Sequence, residues 1–233
     1  MNDFYTFIIT STINTNHGAF SPPERFNQTL ETIQSIRQKV PNSMIVFADN
    51  SIHPMPEDAV LILKSQVDLY VDYKHNLFSK FINSDIQSAM HKGVGEMMIF
   101  EQVMLSIRQN NLIGKRIFKI SGRYKLSDTF DISEYDNINY TGKYIFKPVA
   151  WAYSKDEFVT TEHRIFFETR LWSFCGSLFD EYEQLIQECF NYMISNKENL
   201  EVTNYNIIPH DKVIQLQQMH VEGNFGSGAF IKD

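Results

Sequence analysis

The chain opens on an unbroken run of apolar and β-branched residues, Phe4 to Thr10 (FYTFIIT), which is short and predicts a buried strand. A polar stretch from Ser11 to Gly18 follows, then Ser21-Pro22-Pro23-Glu24. A serine cap, prolines suited to a first turn and a nearby acid mark a helix start there. Phe26, Leu30, Ile33, Ile36 and Val40 keep three- and four-residue spacing to about Lys39, where Pro41-Asn42 stops the helix. Ser43 to Ala48 (SMIVFA) predicts a second buried strand, ending abruptly at Asp49-Asn50-Ser51. Strand, helix and strand, each strand running into a polar loop, read as a β-α-β unit whose strands pair in parallel.

The pattern continues with Ala59 to Lys64 (AVLILK), read as a short third strand, and Val67 to Tyr73, read as a strand or a loop. Lys92-Gly93-Val94-Gly95-Glu96 opens a second long helix with Val94, Met97, Met98, Val103, Met104 and Ile107 on one stripe, ending near Asn110-Asn111. Arg116 to Ser121 (RIFKIS) predicts a central strand, followed at once by Gly122-Arg123-Tyr124, and Tyr144 to Val149 predicts another. A third long helix covers about Leu178 to Ser195, and a last strand Val213 to Val221 runs into Glu222-Gly223-Asn224. No repeat and no Pro- or Gly-rich linker interrupts the chain, so residues 1–233 read as a single α/β domain with a mixed sheet.

Composition narrows the class. Apolar residues are 43% and aromatics 14% of the chain, which excludes a disordered or low-complexity protein. A net charge of −7 argues against a broad nucleic-acid surface. The charge is uneven: Lys92 to Lys125 holds seven basic and two acidic residues, a +5 island in a remainder of −12. Such an island suits a small anion, although Arg108, Lys115 and Arg116 also read as the solvated end of a helix and its loop. Cys175 and Cys189 have no metal-ligand spacing and imply a reducing, cytoplasmic compartment. The start MNDFYTFIIT carries an acid and no basic leader, so no signal peptide is expected, and no apolar stretch approaches the roughly 20 residues of a bilayer span.

Ligands of open α/β sheets collect beyond the carboxyl ends of the strands, where Thr10-Ser11-Thr12, Asp49-Asn50-Ser51, Gly122-Arg123-Tyr124 and Glu222-Gly223 are all expected. MIVFADNS, at the second strand, resembles the corresponding strand of nucleotide-sugar glycosyltransferases of the GT-A fold, in which an apolar run gives way to Asp-Asn or Glu-Asn and then Ser. The preceding helix and proline (TLETIQSIRQKVPNS) match in length and register, and KGVGEMM, IFKISGRYKL and HVEGNFGSG resemble bacterial and viral proteins of that fold. The resemblance touches about a third of the chain. It implies a GT-A-like three-layer sandwich with a mixed, mostly parallel sheet, residues 1–125 forming a nucleotide-binding half and 126–233 an acceptor half. It implies transfer of a sugar from a nucleotide-sugar donor to a glycan or other hydroxyl acceptor. The rival of another class is a non-catalytic nucleotide- or sugar-binding protein on the same scaffold. A sugar-nucleotide nucleotidyltransferase would need a Gly-rich, Arg-bearing first loop that STINTNHG lacks.

Carried over by residue, the resemblance sets Thr10, Ser11, Asp49 and Asn50 beside the nucleoside, with Asp49 accepting from a base or ribose. Asp49 equally suits the closing of a strand-end turn. Most such enzymes bind Mn or Mg through an Asp-x-Asp, because hard cations want oxygen ligands. Here the strand end reads Lys119-Ile120-Ser121-Gly122-Arg123, and the nearest acids are displaced to Asp128, Asp131, Glu134 and Asp136. Metal dependence is therefore unsupported, and Lys119 and Arg123, on one side of the strand by alternation, offer a substitute charge for a diphosphate. Lys92 and the amides after it could face an anion at a helix start, and Glu96 is either a dipole partner or a sugar ligand. Glu222 and His220 share a strand face and are the candidate bases for an acceptor hydroxyl, with Asp180, Asp156 and Glu162 as others. Trp172, Phe174 and Phe179 suit core packing better than a sugar platform.

Overall fold

The computed structural model describes residues 2–15, 18–51, 53–71, 89–152, 164–224 and 229–233. Its elements run β1 (Tyr5–Ser11), α1 (Pro22–Lys39), β2 (Ser43–Asp49), α2 (Glu57–Gln66), β3 (Leu69–Val71), α3 (Ala89–Gln109), β4 (Arg116–Ser121), β5 (Tyr124–Leu126) and β6 (Tyr144–Phe146). After these come β7 (Ala150–Ala152), β8 (Arg164–Phe166), β9 (Leu171–Cys175), α4 (Phe179–Asn196), α5 (Leu200–Ile207), β10 (Val213–Gln215), β11 (Val221–Asn224) and β12 (Phe230–Lys232). Seven strands form the main sheet in the order β10-β6-β9-β4-β1-β2-β3. The strands β3, β2, β1 and β4 pair in parallel, and β9 alone runs against its neighbours β4 and β6. A second sheet, β12-β11-β5, is antiparallel, and β7 pairs with β8.

Alternation along the strands builds two cores, one on each face. Ile8, Val46, Ala48 and Ile117 join Trp172, Phe174 and the apolar stripes of α3 and α4 on one side. Phe7, Ile9, Ile45, Phe47, Phe118 and Ile120 meet α1, α2 and the small sheet on the other. The result is a three-layer α/β sandwich around a mixed, mostly parallel sheet. The rings of Phe7 and Phe118 stack at 4.6 Å across β1 and β4, a contact that adds about 1 kcal/mol to their burial. Trp172, Phe174 and Phe179 are buried, so that cluster is core. Both cysteines are free and buried. Among the described residues no helix is long and apolar enough to cross a membrane.

Four expectations are corrected. Ala59 to Lys64 lies in α2: Pro56 caps the helix, Glu57 and Asp58 fill its first turn, and only Val60 and Leu63 are buried. The intervening Leu61 and Ile62 are exposed, which is helical spacing hidden in an unbroken apolar run. The expected last strand is two strands in two sheets, because His220 adopts a left-handed φ of 54° between them. Lys92–Glu96 lies in the body of α3, which is described from Ala89. A Cβ on Gly93 would come within 2.5 Å of the Met193 methyl and 3.1 Å of the Leu200 nitrogen, so this glycine serves close helix packing. Finally, Arg116 is buried, donating to Tyr140 O (2.7 Å), Lys143 O (3.4 Å) and Ser173 Oγ (3.3 Å). Arg108, by contrast, is at the surface with Asp180 and Glu183.

Candidate functional site

The carboxyl ends of β1, β2 and β4 lie side by side, with Ser11 opposite Asp49 and Thr10 opposite Ser121. On the α1 side, Asp49 ties the loop after β1 to the loop after β2. Its Oδ1 accepts the Ile13 amide (2.9 Å) and its Oδ2 the Ser51 amide (3.0 Å), while the Asn50 amide donates to Ser11 O (2.7 Å). Burial pushes the Asp49 carboxyl up to about 6, against the pull of those hydrogen bonds and of Arg25. Ser11 Oγ lies 3.2 Å from Thr29 Oγ1 on α1. Gly122 closes against the same pair, since a Cβ there would sit 2.9 Å from Thr29 Oγ1 and 3.1 Å from Ser11 Oγ.

Arg25, in the first turns of α1, is a residue that sequence reasoning missed. Its guanidinium is buried and donates to Phe20 O (3.1 Å) and Thr12 O (3.2 Å). Burial first, and then the neighbouring Arg123, depress its proton affinity, with Asp49 opposing them. Two guanidiniums are thus held within electrostatic reach of each other at the sheet edge. A cation near the start of a helix opposes the helix dipole, and that was the available signal for Arg25.

On the α3 side, Lys119 is buried and ion-paired with Glu96, whose Oε1 also accepts from Thr10 Oγ1 (3.0 Å). Burial would raise the Glu96 carboxyl, but Lys119, Thr10 and Arg123 outweigh it and hold the group below its ordinary value. Lys119 Nζ stands 3.5 Å from Thr169 O, and Thr169 Oγ1 donates to Glu201 Oε1 (3.0 Å). Burial, with Glu96 nearby, raises the Glu201 carboxyl. Arg123 follows the turn at Gly122 into β5, so strand alternation does not carry from Lys119 to it; its guanidinium lies 5.8 Å from the Tyr124 ring centroid. Glu168 and Arg170 pair at 2.9 Å before β9, and Lys147 reaches Glu168 at 3.5 Å and Asp233 at 2.9 Å.

The structure therefore brings together Thr10, Ser11, Asp49, Asn50, Glu96, Lys119 and Arg123, and adds Arg25, Thr169 and Glu201. Contrary to expectation, Glu222-Gly223 does not follow a strand of the main sheet but lies within β11 of the small one, where Glu222 pairs with Lys125 (3.2 Å) and Lys232 (3.5 Å). His220 lies at the far end of that sheet, with Nδ1 2.9 Å from Thr129 Oγ1 and Nε2 3.7 Å from Glu134. Asp180 belongs to the Arg108 cluster, and Asp156, Glu162 and the Lys92 side chain lie outside the described residues.

A divalent cation does not fit the donor set that is described. Asp49 is engaged by two backbone amides and Glu96 by an ammonium and a hydroxyl, and among the described residues no three Asp, Glu, His or Cys side chains gather as a metal would need. The displaced acids do not repair this. Asp136 accepts from Tyr5 Oη (2.6 Å) at the opposite end of β1, and Asp131 caps its own turn through the Ser133 amide.

No protein-family model matches the chain, and no curated protein matches it in sequence. Solved structures do. A core-mannan synthase of Aspergillus fumigatus, in a manganese- and GDP-bound form, superposes with a TM-score of 0.54 at 9% identity, over 96% of this chain and 76% of that one. A glycosyltransferase involved in glycosylation of the major capsid of the virus PBCV-1 gives 0.50 at 6% identity, over 91% and 80%. The bifunctional glycosyltransferase WbbM gives 0.52 at 9% identity, over 92% of this chain and 39% of its own. The chain has the GT-A-like fold of these glycosyltransferases.

Proposed function

We propose that the chain transfers a sugar from a nucleotide-sugar donor to a glycan or other hydroxyl acceptor, and that fixed cations take the place of a metal at the donor diphosphate. The observation that carries the reading is Arg123, which follows Gly122 at the carboxyl edge, where the Gly122 amide donates to Thr10 O (2.8 Å), and which lies within electrostatic reach of Arg25 and Glu96. A guanidinium offers a rigid fork matched to phosphate oxygens, and it stabilises a departing diphosphate without proton movement. Thr10, Ser11, Asp49 and Asn50 flank the nucleoside. The Lys119–Glu96 pair acts behind them, fixing Thr10 on β1 against α3 and leaving Arg123 as the phosphate ligand.

Glu222 is the base proposed for the acceptor hydroxyl. Its neighbour Gly223 packs on the Arg123 carbonyl, which sets β11 beside the donor cation. His220, at the other end of the small sheet, is the weaker choice. The test is nucleotide release from UDP-, GDP-, CMP- and dTDP-sugars in the presence and absence of EDTA, alongside thermal shift. The expected result is turnover of one donor class that survives chelation. Activity abolished by EDTA and restored by manganese overturns the role given to the cations, and stabilisation by a nucleotide sugar without any turnover favours a binding protein.

A further inference from the structure

The solvent face of the small sheet combines features that the donor edge does not use. Val221 and Leu126 are buried beneath it, and Ile231 packs against the same core. Alternation therefore turns Glu222, Asn224, Phe230, Lys232 and Lys125 to the other face. Register sets them in rows, with Lys125 opposite Glu222, Glu222 opposite Lys232, and Asn224 opposite Phe230. Glu222 holds both lysines, at 3.2 Å and 3.5 Å, which ties the charged row across all three strands and leaves it one net positive charge. The Asn224–Phe230 row is neutral, and Phe230 is 62% exposed.

Position adds to this. Gly223 lies opposite Tyr124, and a Cβ on it would stand 2.2 Å from the Arg123 carbonyl oxygen. Asn224 and Phe230 are therefore at the end of the small sheet that abuts Arg123, whereas His220 and Ser127 are at the other end. From this juxtaposition we infer that the Phe230–Asn224 face is the acceptor platform, binding a pyranoside. The inference rests on the reading of the carboxyl edge as a sugar-nucleotide site.

The chemistry selects that occupant. An exposed flat ring offers an apolar surface to the C–H face of a sugar, while a carboxamide beside it supplies both a donor and an acceptor for hydroxyls. Cross-strand neighbours lie about 5 Å apart, which is the width of one six-membered ring. Among the described residues this face carries one aromatic among charged groups, far below the roughly 800 Å² per partner of a stable protein interface.

The experiment is saturation-transfer difference NMR of the whole chain with methyl pyranosides of glucose, galactose, mannose, N-acetylglucosamine and xylose. At least one is expected to receive saturation on its ring C–H protons. Phe230→Ala and Phe230→Leu should each cut that signal fivefold or more, and Phe230→Trp should keep it. Phe230 is exposed, so melting temperatures should stay within about 2 °C, and the Leu and Trp variants separate loss of a flat ring from loss of fold. Equal binding by wild type and Phe230→Leu overturns the platform, as does the absence of binding by every pyranoside. A wild-type dimer in light scattering that Phe230→Ala converts to a monomer also overturns it, in favour of contact between copies. Titration of wild type with UDP, GDP, CMP and dTDP separates the two readings. Nucleotide binding without glycoside binding sinks the platform alone, and glycoside binding without nucleotide binding sinks the donor reading alone.

Discussion

Replacing Lys119 by Met tests whether the carboxyl edge is held by a buried ion pair. Lys119 is 2% exposed, its carboxylate partner Glu96 is 28% exposed at the side chain, and Thr10 Oγ1 is the other donor to that carboxylate. Removing one partner of a buried pair costs about 3–5 kcal/mol, because the remaining charge loses its compensation. Glu96 retains some contact with water and its hydrogen bond to Thr10, which sets the expectation for Lys119→Met at the lower bound, about 3 kcal/mol. For a chain of this length that is a fall of roughly 6–12 °C in melting temperature. Glu96→Gln should cost a similar amount, since it strands the ammonium against a carbonyl at 3.5 Å. The double variant should recover about 1.5–3 kcal/mol relative to additivity. Urea titrations of the four proteins measure this directly. Additivity within about 0.5 kcal/mol, or a Lys119→Met protein that melts with wild type, would refute the buried-pair account. The pH dependence has a definite sign. The Glu96 carboxyl is depressed in the fold, so the pair's contribution is present above the ordinary glutamate range and is lost as pH falls through the lower folded value.

Asp49 carries the opposite sign: its carboxyl is raised to about 6, so its contribution is full below its unfolded value and is lost as pH rises through about 6. The stability advantage of wild type over Asp49→Asn should accordingly shrink between pH 4 and pH 7 in denaturant titrations; a constant difference would place the carboxylate in water. Calorimetry of Asp49→Ala should show nucleotide affinity weakened by about 1–3 kcal/mol, and unchanged affinity removes the residue from the site. Arg123→Lys should lower turnover by about 10²-fold while the melting temperature holds, because an ammonium does not reproduce the guanidinium fork; wild-type turnover in both Arg123→Lys and Arg123→Ala would end the phosphate role. Gly223→Ala should destabilise by about 1–3 kcal/mol, since its Cβ would meet the Arg123 carbonyl at 2.2 Å and neither backbone has room to give; a wild-type melting curve would show that β11 and β5 are not so closely packed.

Periodicity made the β1-α1-β2 unit, β4 and α4 legible, because each is long, or is bounded by a cap, proline or polar loop. It failed at α2, where two exposed apolar residues fill the gap between two buried ones and erase the pattern. It passed over β9, whose five residues are all buried and whose Ser173 serves the equally buried Arg116. Local spacing also cannot reveal a strand that turns through a left-handed residue and resumes in another sheet, as happens at His220. Within the candidate site, the loops after β1, β2 and β4 were legible as strand ends. The partnership of Lys119 with Glu96 was not, because it spans β4 and α3, and distance in space has no trace in spacing along the chain. Arg25 escaped for a similar reason: its surroundings come from three separate segments.

The reversal of β9 bears on how such a molecule can change over generations. Every other strand of the main sheet delivers its end to the ligand edge, but β9 delivers its beginning, with Arg170 O accepting the Ser121 amide (3.2 Å). Thr169 and Arg170 thereby stand at the edge although they belong to the second half of the chain. Side chains at 168–170 can change without shifting the register of any parallel pair, while Phe167, stacked on Phe146 at 4.4 Å, anchors the start of the segment. One inverted strand brings side chains from the second half of the chain to the edge, where substitutions can alter it while the parallel strands stay as they are.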